Sequence, residues 1–327
     1  MNKKIQVLRG LAILAVVIIH TCPHGLAGIV IRTLVNYAVA LFLFCSGWLT
    51  KTSFPDVKKF YKKRLTRVLI PYAIWSFFYT AAFAYRDGTF SRLPHNYLYN
   101  LVYGTANFSL YFIIVYVILT LLTPLIGKLL QSEYKWVGFL VTPIYMIVTT
   151  YIPVLTGRVI IPVNITPFLR LQWFGFYYLG MALGNHAVEW KLTKKQTVIF
   201  YCLSLIAAFL EGLYWNHLGS YSMAGTQIKM TTHLSSCMAG VLAHVYLNDS
   251  KFSGSGKFEK YMAFIGDYSF GIYLSHVMLI GLSGRIFGDD GIPFPLNTMM
   301  ILFGSLLCCI VTDVFFREKL NRLLGIK

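Results

Sequence analysis

Long apolar stretches and short polar segments alternate along almost the whole chain. A helix rises ~1.5 Å per residue and the hydrocarbon core of a bilayer is ~30 Å thick, so about 17–22 apolar residues can cross it. Ten such stretches can be drawn, at 5–21, 30–49, 68–85, 108–127, 136–155, 166–184, 196–214, 229–247, 263–282 and 297–316. The pattern predicts an all-α membrane protein, a polytopic bundle of about ten transmembrane helices.

The fifth and sixth stretches have the least regular pattern. Pro143, Pro153, Pro162 and Pro167 fall within or between them. A proline inside a helix removes one backbone hydrogen bond and clashes with the preceding turn. We therefore expect these two helices to be interrupted.

Composition agrees with the hydrophobic pattern. The mean hydropathy is +0.62, and 13% of the residues are charged, whereas about 25% are charged in a soluble domain. The net charge of +17 could indicate nucleic-acid binding, but the cations cluster in the short segments between apolar stretches. We therefore expect membrane lipids, and no nucleic acid, as partners.

The distribution of cations also predicts the orientation. Most of the 29 lysines and arginines fall on one side if the N-terminus lies in the cytoplasm, as the positive-inside rule requires. An even number of crossings then places both termini in the cytoplasm. Because the outer loops are short, we expect a single transmembrane domain over residues 1–327, with no appended soluble domain.

The first apolar stretch carries Arg9 and His20. They are eleven positions apart, so a helix returns to within roughly 20° of its starting direction over a rise of about 16 Å. The two side chains should share one face, with the guanidinium near one membrane surface and the imidazole near mid-bilayer. Ionisable groups are expensive at such depth and usually functional, although a lone histidine is often a hydrogen-bonded core group.

A basic segment, Lys58–Arg67, precedes the third apolar stretch. Arg64 and Arg67 are three residues apart and share one side of a helix. Two guanidinium groups so placed suit a phosphate-rich ligand that approaches from the cytoplasm. The alternative is an ordinary anchor that binds anionic lipid headgroups.

A polar stripe follows Asp267 in the ninth stretch. Ser269, Tyr273 and His276 are spaced by four and three residues and should line one face, toward the bundle interior or a water-filled cavity. Hydrogen bonding between helices could explain the stripe equally well. Glu211, Asp313 and Arg170 are further ionisable groups in or near the stretches, which could pair with one another or with Arg9. We find no metal-ligand spacing and expect no metal.

Taken together, these motifs resemble the acyltransferase-3 family of bacterial membrane acyltransferases. The most specific matches are the Arg-x10-His pattern at Arg9 and His20 and the Arg-x-x-Arg pattern at Arg64 and Arg67. The supporting matches are Phe44-Cys45-Ser46-Gly47-Trp48, Pro71-Tyr72, Tyr178-Leu179-Gly180-Met181 with Gly184, and Ser269-x3-Tyr273-x2-His276. Their order and spacing extend over almost the whole length.

The resemblance implies a multi-pass protein of the bacterial cytoplasmic (inner) membrane. Such enzymes move an acetyl or other acyl group from cytoplasmic acetyl-CoA to a hydroxyl of a cell-surface or lipid-linked saccharide. By this resemblance His20 is the catalytic histidine, as a general base or a covalent acyl carrier, and Arg9 is its partner. Arg64 and Arg67 would bind the coenzyme. A succinyl or longer donor and an amine acceptor also fit.

One departure and two rival functions qualify the resemblance. Many family members have Leu-Trp-Phe at the start of the fourth span, where this chain has Leu110-Tyr111-Phe112. The chain matches the shorter, stand-alone type of O-acetyltransferase. A transporter or flippase for the saccharide, without acyl transfer, is the main alternative, and a scaffold subunit of a polysaccharide synthase is the other.

Overall fold

The computed structural model describes residues 2–162, 165–250, 252, 256–288, 291–316 and 318–326. Within them every regular element is helical. The α-helices are α1 (Lys3–Thr21), α2 (Gly25–Val35), α3 (Ala38–Trp48), α4 (Val57–Arg86), α5 (Leu93–Tyr103), α6 (Tyr111–Gln131), α7 (Val137–Met146), α8 (Ile152–Thr156), α9 (Thr166–Leu169), α10 (Phe174–Gly184), α11 (Lys194–His217), α12 (Tyr221–Ala224), α13 (Met230–Asn248), α14 (Lys257–Asp267), α15 (Ser269–Phe287), α16 (Leu296–Phe315) and α17 (Glu318–Leu324).

Eight helical stretches of the described residues are long and apolar enough to cross a membrane. They are Lys3–Thr21, Gly25–Trp48, Val57–Arg86, Tyr111–Gln131, Glu133–Thr156, Lys194–His217, Ser269–Phe287 and Leu296–Phe315. The predicted class, an all-α polytopic membrane protein, is confirmed. The orientation stays a prediction, and three of the cations behind it, Lys251, Arg317 and Lys327, lie outside the described residues.

The other two predicted spans, 166–184 and 229–247, differ from simple apolar helices. The first is broken, because α9 ends at Leu169 and α10 begins only at Phe174. The second is the unbroken helix α13, but it carries a polar run that includes Thr232, His233 and Ser236, all buried. A count of about ten crossings therefore stays a prediction.

The described chain divides into two compact units, each made of two separate parts of the sequence. The first unit comprises Met1–Ser53 and Thr123–Gly266, and the second comprises Phe54–Leu122 and Asp267–Lys327. Organisation as a single domain stays a prediction. Arg9 and His20 belong to the first unit, whereas Arg64, Arg67 and the stripe of Ser269, Tyr273 and His276 belong to the second.

Helix α3 is the packing centre of the first unit. A Cβ added to Gly47 would lie 2.2 Å from the carbonyl oxygen of Tyr177 in α10. One added to Gly180 or Gly184 of α10 would lie 2.2 Å from Phe44 O or 2.3 Å from Trp48 O. Such small residues let two helix backbones approach closely, so the glycines hold α3 against α10.

In the second unit, tyrosine hydroxyls of α4 link it to neighbouring helices. Tyr79 donates to the carbonyl of Leu274 in α15 at 2.8 Å, and Tyr72 donates to the carbonyl of Leu101 in α5 at 2.8 Å. Both rings are buried. The buried part of α4 begins at Pro71, and the residues before it are half-buried or exposed.

Candidate active site

Helix α1 runs without interruption from Lys3 to Thr21, so the helical geometry that places Arg9 and His20 on one face is present. It ends because Cys22 is extended and Pro23 follows, and a residue before proline disfavours the helical conformation. His20 therefore lies in the last turn of α1, nearer the helix end than the mid-bilayer position expected from the sequence. Arg9 lies about 9 Å from the helix start.

The half-buried positions of α1 fall on two opposite sides. Lys4, Leu11, Leu14 and Ile18 form one side. Arg9 and His20, also half-buried, project on the other side, roughly 180° away at about 100° per residue. The side chains of Arg9 and His20 thus point away from the side of α1 formed by Lys4, Leu11, Leu14 and Ile18.

The surface between Arg9 and His20 is closed. Ile13 and Val16 project in nearly the same direction as the two candidates, and they are 0% and 4% exposed. The two polar groups therefore do not share a continuous accessible stripe along α1. A ligand that contacts Arg9 can reach His20 along α1 only by a path beside these two side chains, or after they move.

The guanidinium of Arg9 is oriented by a residue that the sequence analysis did not single out. Its Nη1 donates to Oε1 of Gln6 at 3.1 Å, and Gln6 is 3% exposed. The backbone there is locked against α14, since a Cβ on Gly266 would lie 1.9 Å from Gln6 O and one on Gly10 would lie 2.0 Å from Met262 O. The sequence did contain a signal for this contact: a glutamine within the first apolar stretch, three residues before Arg9.

The supporting motif residues turn out to be packing and positioning groups. Gly47, Gly180 and Gly184 make the α3–α10 contact described above. Trp48 donates its indole N–H to Nδ1 of His244 in α13 at 3.3 Å. These motifs therefore hold helices of the first unit in register.

Arg64 and Arg67 lie in the first three turns of α4, before its buried part. The guanidinium of Arg64 is 5.2 Å from the ring centroid of Phe60, a cation–π distance. Arg64 is half-buried and Arg67 is exposed. Tyr61 donates to the carbonyl of Leu121 in α6 at 2.8 Å, which fixes this part of α4 within the second unit.

The polar stripe of α15 faces the interior of the second unit. Ser269 and His276 are 0% exposed and Tyr273 is 7% exposed. Tyr273 donates to the carbonyl of Ser109 at 2.6 Å, and its ring lies 5.6 Å from that of Phe112. The Leu110-Tyr111-Phe112 segment is therefore next to the stripe, and hydrogen bonding between helices accounts for Tyr273.

The tautomer of His276 follows from its partners. Nδ1 lies 2.7 Å from the carbonyl oxygen of Tyr273, and a carbonyl only accepts, so Nδ1 carries the hydrogen. In the neutral ring Nε2 then has the lone pair. Ser269 differs, because its hydroxyl has no hydrogen-bond partner among the described residues.

Glu211 and Asp313, which the sequence suggested as partners in ion pairs, accept hydrogen bonds from neutral donors. Glu211 accepts from Trp215 Nε1 and Thr231 N, both at 3.1 Å, and from the hydroxyls of Tyr151 and Thr231. Asp313 accepts from Tyr268 at 2.8 Å and from Asn321 at 3.0 Å. These carboxylates join separate segments within their own units.

Known proteins resemble the chain along most of its length. The family model described as an acyltransferase domain matches residues 2–314. A protein of Bacillus subtilis (strain 168), which has the provisional name membrane-bound acyltransferase YfiQ, is 26% identical over 307 residues, covering 85% of this chain and 82% of that protein. No solved structure matches the chain. The matched range includes every residue of the candidate site.

Proposed function

Because the chain belongs to the acyltransferase-3 family, we propose that it moves an acetyl or related acyl group from cytoplasmic acyl-CoA to a hydroxyl of a cell-surface or lipid-linked saccharide. The family and the membrane helices make it a multi-pass membrane acyltransferase. The donor, the acceptor and residence in the bacterial inner membrane are our proposal. The observation that carries it is the pairing of Arg9 and His20 on one face of the unbroken helix α1.

His20 acts as the general base. Its neutral imidazole takes the proton of the acceptor hydroxyl while the oxygen attacks the thioester carbonyl carbon. A carbon–oxygen bond forms, the carbon–sulfur bond breaks, and the coenzyme leaves as a thiolate that regains the proton from the imidazolium. A covalent route, in which His20 first carries the acyl group, uses the same position.

The location of His20 favours a reaction that spans two compartments. In the predicted orientation Arg9 lies toward the cytoplasmic end of α1 and His20 lies in its outer last turn. A charged nucleotide can then remain inside while the acyl group meets an acceptor outside. The acceptor need not cross the bilayer for the reaction to occur.

Arg9 supplies positive charge for the coenzyme. Its guanidinium is held by Gln6 at 3.1 Å, about 16 Å of helix rise from His20, and would bind a coenzyme phosphate. The half-buried setting of Arg9 strengthens that interaction relative to water. Gln6 acts as a positioning residue, because it touches Arg9 rather than the reacting atoms.

Arg64 and Arg67 would bind the phosphates of the coenzyme. Guanidinium groups form paired hydrogen bonds to phosphate oxygens, which a lysine cannot match. Their place at the exposed start of α4 leaves them accessible from the cytoplasm in the predicted orientation. The donor would therefore be recognised mainly by its charged end.

The direct test uses the purified protein in lipid nanodiscs with acetyl-CoA labelled in its acetyl group. We expect labelled ester in a saccharide fraction prepared from the same organism. Mass spectrometry of surface glycans from a deletion strain should then show the loss of that ester. Movement of acceptor across vesicles without new ester would support a flippase and contradict the proposal.

A second experiment, with variants of Arg9 and His20, distinguishes an enzyme from a scaffold subunit. If the chain were a scaffold subunit, substitution of Arg9 or His20 would lower the yield of a larger complex and leave turnover per complex unchanged. If it is the enzyme, both variants remain intact and lose turnover. Label that stays on the protein after a brief pulse at neutral pH, and that neutral hydroxylamine or acid releases, would indicate the covalent route through an acyl imidazole.

A further inference from the structure

A cavity of about 340 Å³ lies within the first unit, where the fifth and sixth predicted spans meet. That volume is typical of small-molecule sites, which start at about 300 Å³. The predicted orientation places it toward the outer side of the membrane. Its walls include Val148, Thr149, Thr150, Ile160, Arg170 and Gln172.

The backbone is irregular on both sides of this cavity. Between α7 and α8 the chain forms a π-helical turn over Ile147–Tyr151, and Pro153 removes one donor from the hydrogen-bond series. Between α9 and α10, Arg170 adopts φ 32° and ψ 34°, the left-handed region that favours glycine. Single π-helical turns and strained residues concentrate at functional sites.

Irregular backbone at membrane depth has a restricted set of explanations. Unpaired backbone groups are tolerated there only where they are buried in protein or line a polar cavity. In transporters, interrupted helices with this property mark the substrate site. The break between α9 and α10, which contains Arg170 and Gln172, borders the cavity directly.

The polar side chains that line the cavity include a buried acceptor and a cation. Oε1 of Gln172 is buried and has no hydrogen-bond partner in the described part of the chain. A buried acceptor left unpaired is destabilising, and a ligand hydroxyl would relieve that cost. Among the described lining residues, Arg170 is a cation, and none of the others is acidic.

The size and the walls of the cavity indicate what fits. A volume of 340 Å³ is that of about eleven liquid waters at ~30 Å³ each, which leaves room for one sugar ring with its substituents. Val148, Ile160 and Ile228 offer apolar walls to the ring carbons. Thr149 and Thr150 also line the cavity, and the Thr149 hydroxyl donates to the carbonyl of Tyr145 at 2.8 Å.

We propose that this cavity binds one sugar unit of the acceptor that carries a negative charge, with Arg170 contacting the carboxylate or phosphate and Gln172 accepting from a ring hydroxyl. The inference rests on the proposed function for the identity of the ligand as an acceptor. Binding itself does not require transfer, so the two can fail separately. The preference for anionic sugar is the new element.

The test measures binding calorimetrically with purified protein in nanodiscs. The probes are methyl β-glucuronide, glucose 6-phosphate and neutral methyl β-glucoside. We expect at least one anionic probe to bind about 10-fold or more tightly than the neutral one, since a charge-assisted hydrogen bond contributes ~1.5–3 kcal/mol. Comparing the affinities of methyl β-glucuronide and glucose 6-phosphate shows whether the cavity prefers a carboxylate or a phosphate.

Two variants probe the two polar contacts. Arg170→Gln should abolish the anionic preference and leave affinity for the glucoside within about twofold. Gln172→Glu keeps the side-chain size and adds a negative charge, so it should weaken anionic probes selectively. It remains informative if Arg170→Gln does not fold. Arg158→Gln is the matched control, because Arg158 is an exposed cation of the same connection that does not line the cavity.

The outcomes separate the inference from the proposed function. Equal binding of charged and neutral probes, or of none, by the wild type would overturn the inference. An anionic preference that survives both Arg170→Gln and Gln172→Glu would overturn it too. Selective binding without any acyl transfer would instead contradict the proposed function and leave the charged-sugar cavity in place.

Discussion

Helices α1 and α4 each carry a pair of candidate functional residues, but the two helices hold their pairs very differently. Around Arg9, α1 is packed backbone to backbone, with Gly10 against Met262 and Gly266 against Gln6. Arg64 and Arg67 lie on the part of α4 before its buried face begins at Pro71. One pair is in a close-packed helix and the other is on a helix segment that is half-buried or exposed.

The difference matches two kinds of chemistry. Proton transfer demands positions accurate to a fraction of an ångström, and close helix packing provides them. Binding of a charged, flexible phosphate group tolerates adjustment, and long arginine side chains on an accessible surface provide that. We therefore expect substitutions on α1 to affect turnover and substitutions on α4 to affect donor affinity.

The largest effect should come from His20→Ala. Loss of general-base assistance lowers kcat by about 10²–10⁴-fold, while thermal stability stays near that of the wild type because the side chain is half-buried at the helix end. Steady-state transfer from labelled acetyl-CoA measures it. His24→Ala is the control, since His24 is exposed four residues later. Full acyl transfer by the His20→Ala variant would show that His20 does not act as the general base.

The next effect is structural. In Gly10→Val the new side chain would begin 2.0 Å from Met262 O, so α1 and α14 must separate, at a cost of about 1–3 kcal/mol or more. We expect a melting temperature lowered by several degrees, at ~2–4 °C per kcal/mol, together with reduced kcat. Gly281→Val in α15, where nothing lies within 4 Å, should leave both quantities unchanged. Similar losses in the two variants would mean that the close packing around Arg9 has no special role.

A smaller effect is expected for Arg64→Lys. Replacing the guanidinium removes a paired contact to phosphate, which should raise the KM for acetyl-CoA about 10-fold with kcat unchanged. Lys62→Gln, an exposed neighbour, is the control for general loss of positive charge. If both variants behave alike, the segment only attracts anionic surfaces.

The smallest effect should follow Arg67→Lys. Arg67 is exposed, so water and salt weaken its interactions. We expect the KM for acetyl-CoA to rise roughly two- to threefold at low ionic strength and the difference to vanish near 1 M salt. Titrating transfer against salt concentration measures this. An Arg67 effect larger than that of Arg64 would reverse the assigned order of the two contacts.

Several elements of the fold were predictable because they depend on local pattern. The first apolar stretch was placed at 5–21, and α1 extends from Lys3 to Thr21. The prolines of the fifth and sixth stretches correctly indicated interruption. The shared direction of Arg9 and His20 needs only the helical repeat.

Other elements could not be read from one sequence. Ser46-Gly47-Trp48 is seen to be a packing motif only once α10 lies against it, and Gln6 gains a role only because Arg9 reaches back to it at 3.1 Å. Ile13 and Val16 look like ordinary aliphatic positions, yet they close the surface between the two candidates. Each depends on how the helix packs or on the direction a side chain takes.

The sequence by itself determined that this protein is helical and membrane-embedded, and which polar side chains share a helix face. These properties follow from hydropathy and from the period of a helix, both of which are local. The tertiary structure decided where α1 stops, what holds Arg9, and that Arg170 and Gln172 meet the π-helical turn around one cavity. Those outcomes depend on packing between segments far apart in the chain. The sequence of a helix specifies the directions of its side chains, but it does not specify which other segments pack against them.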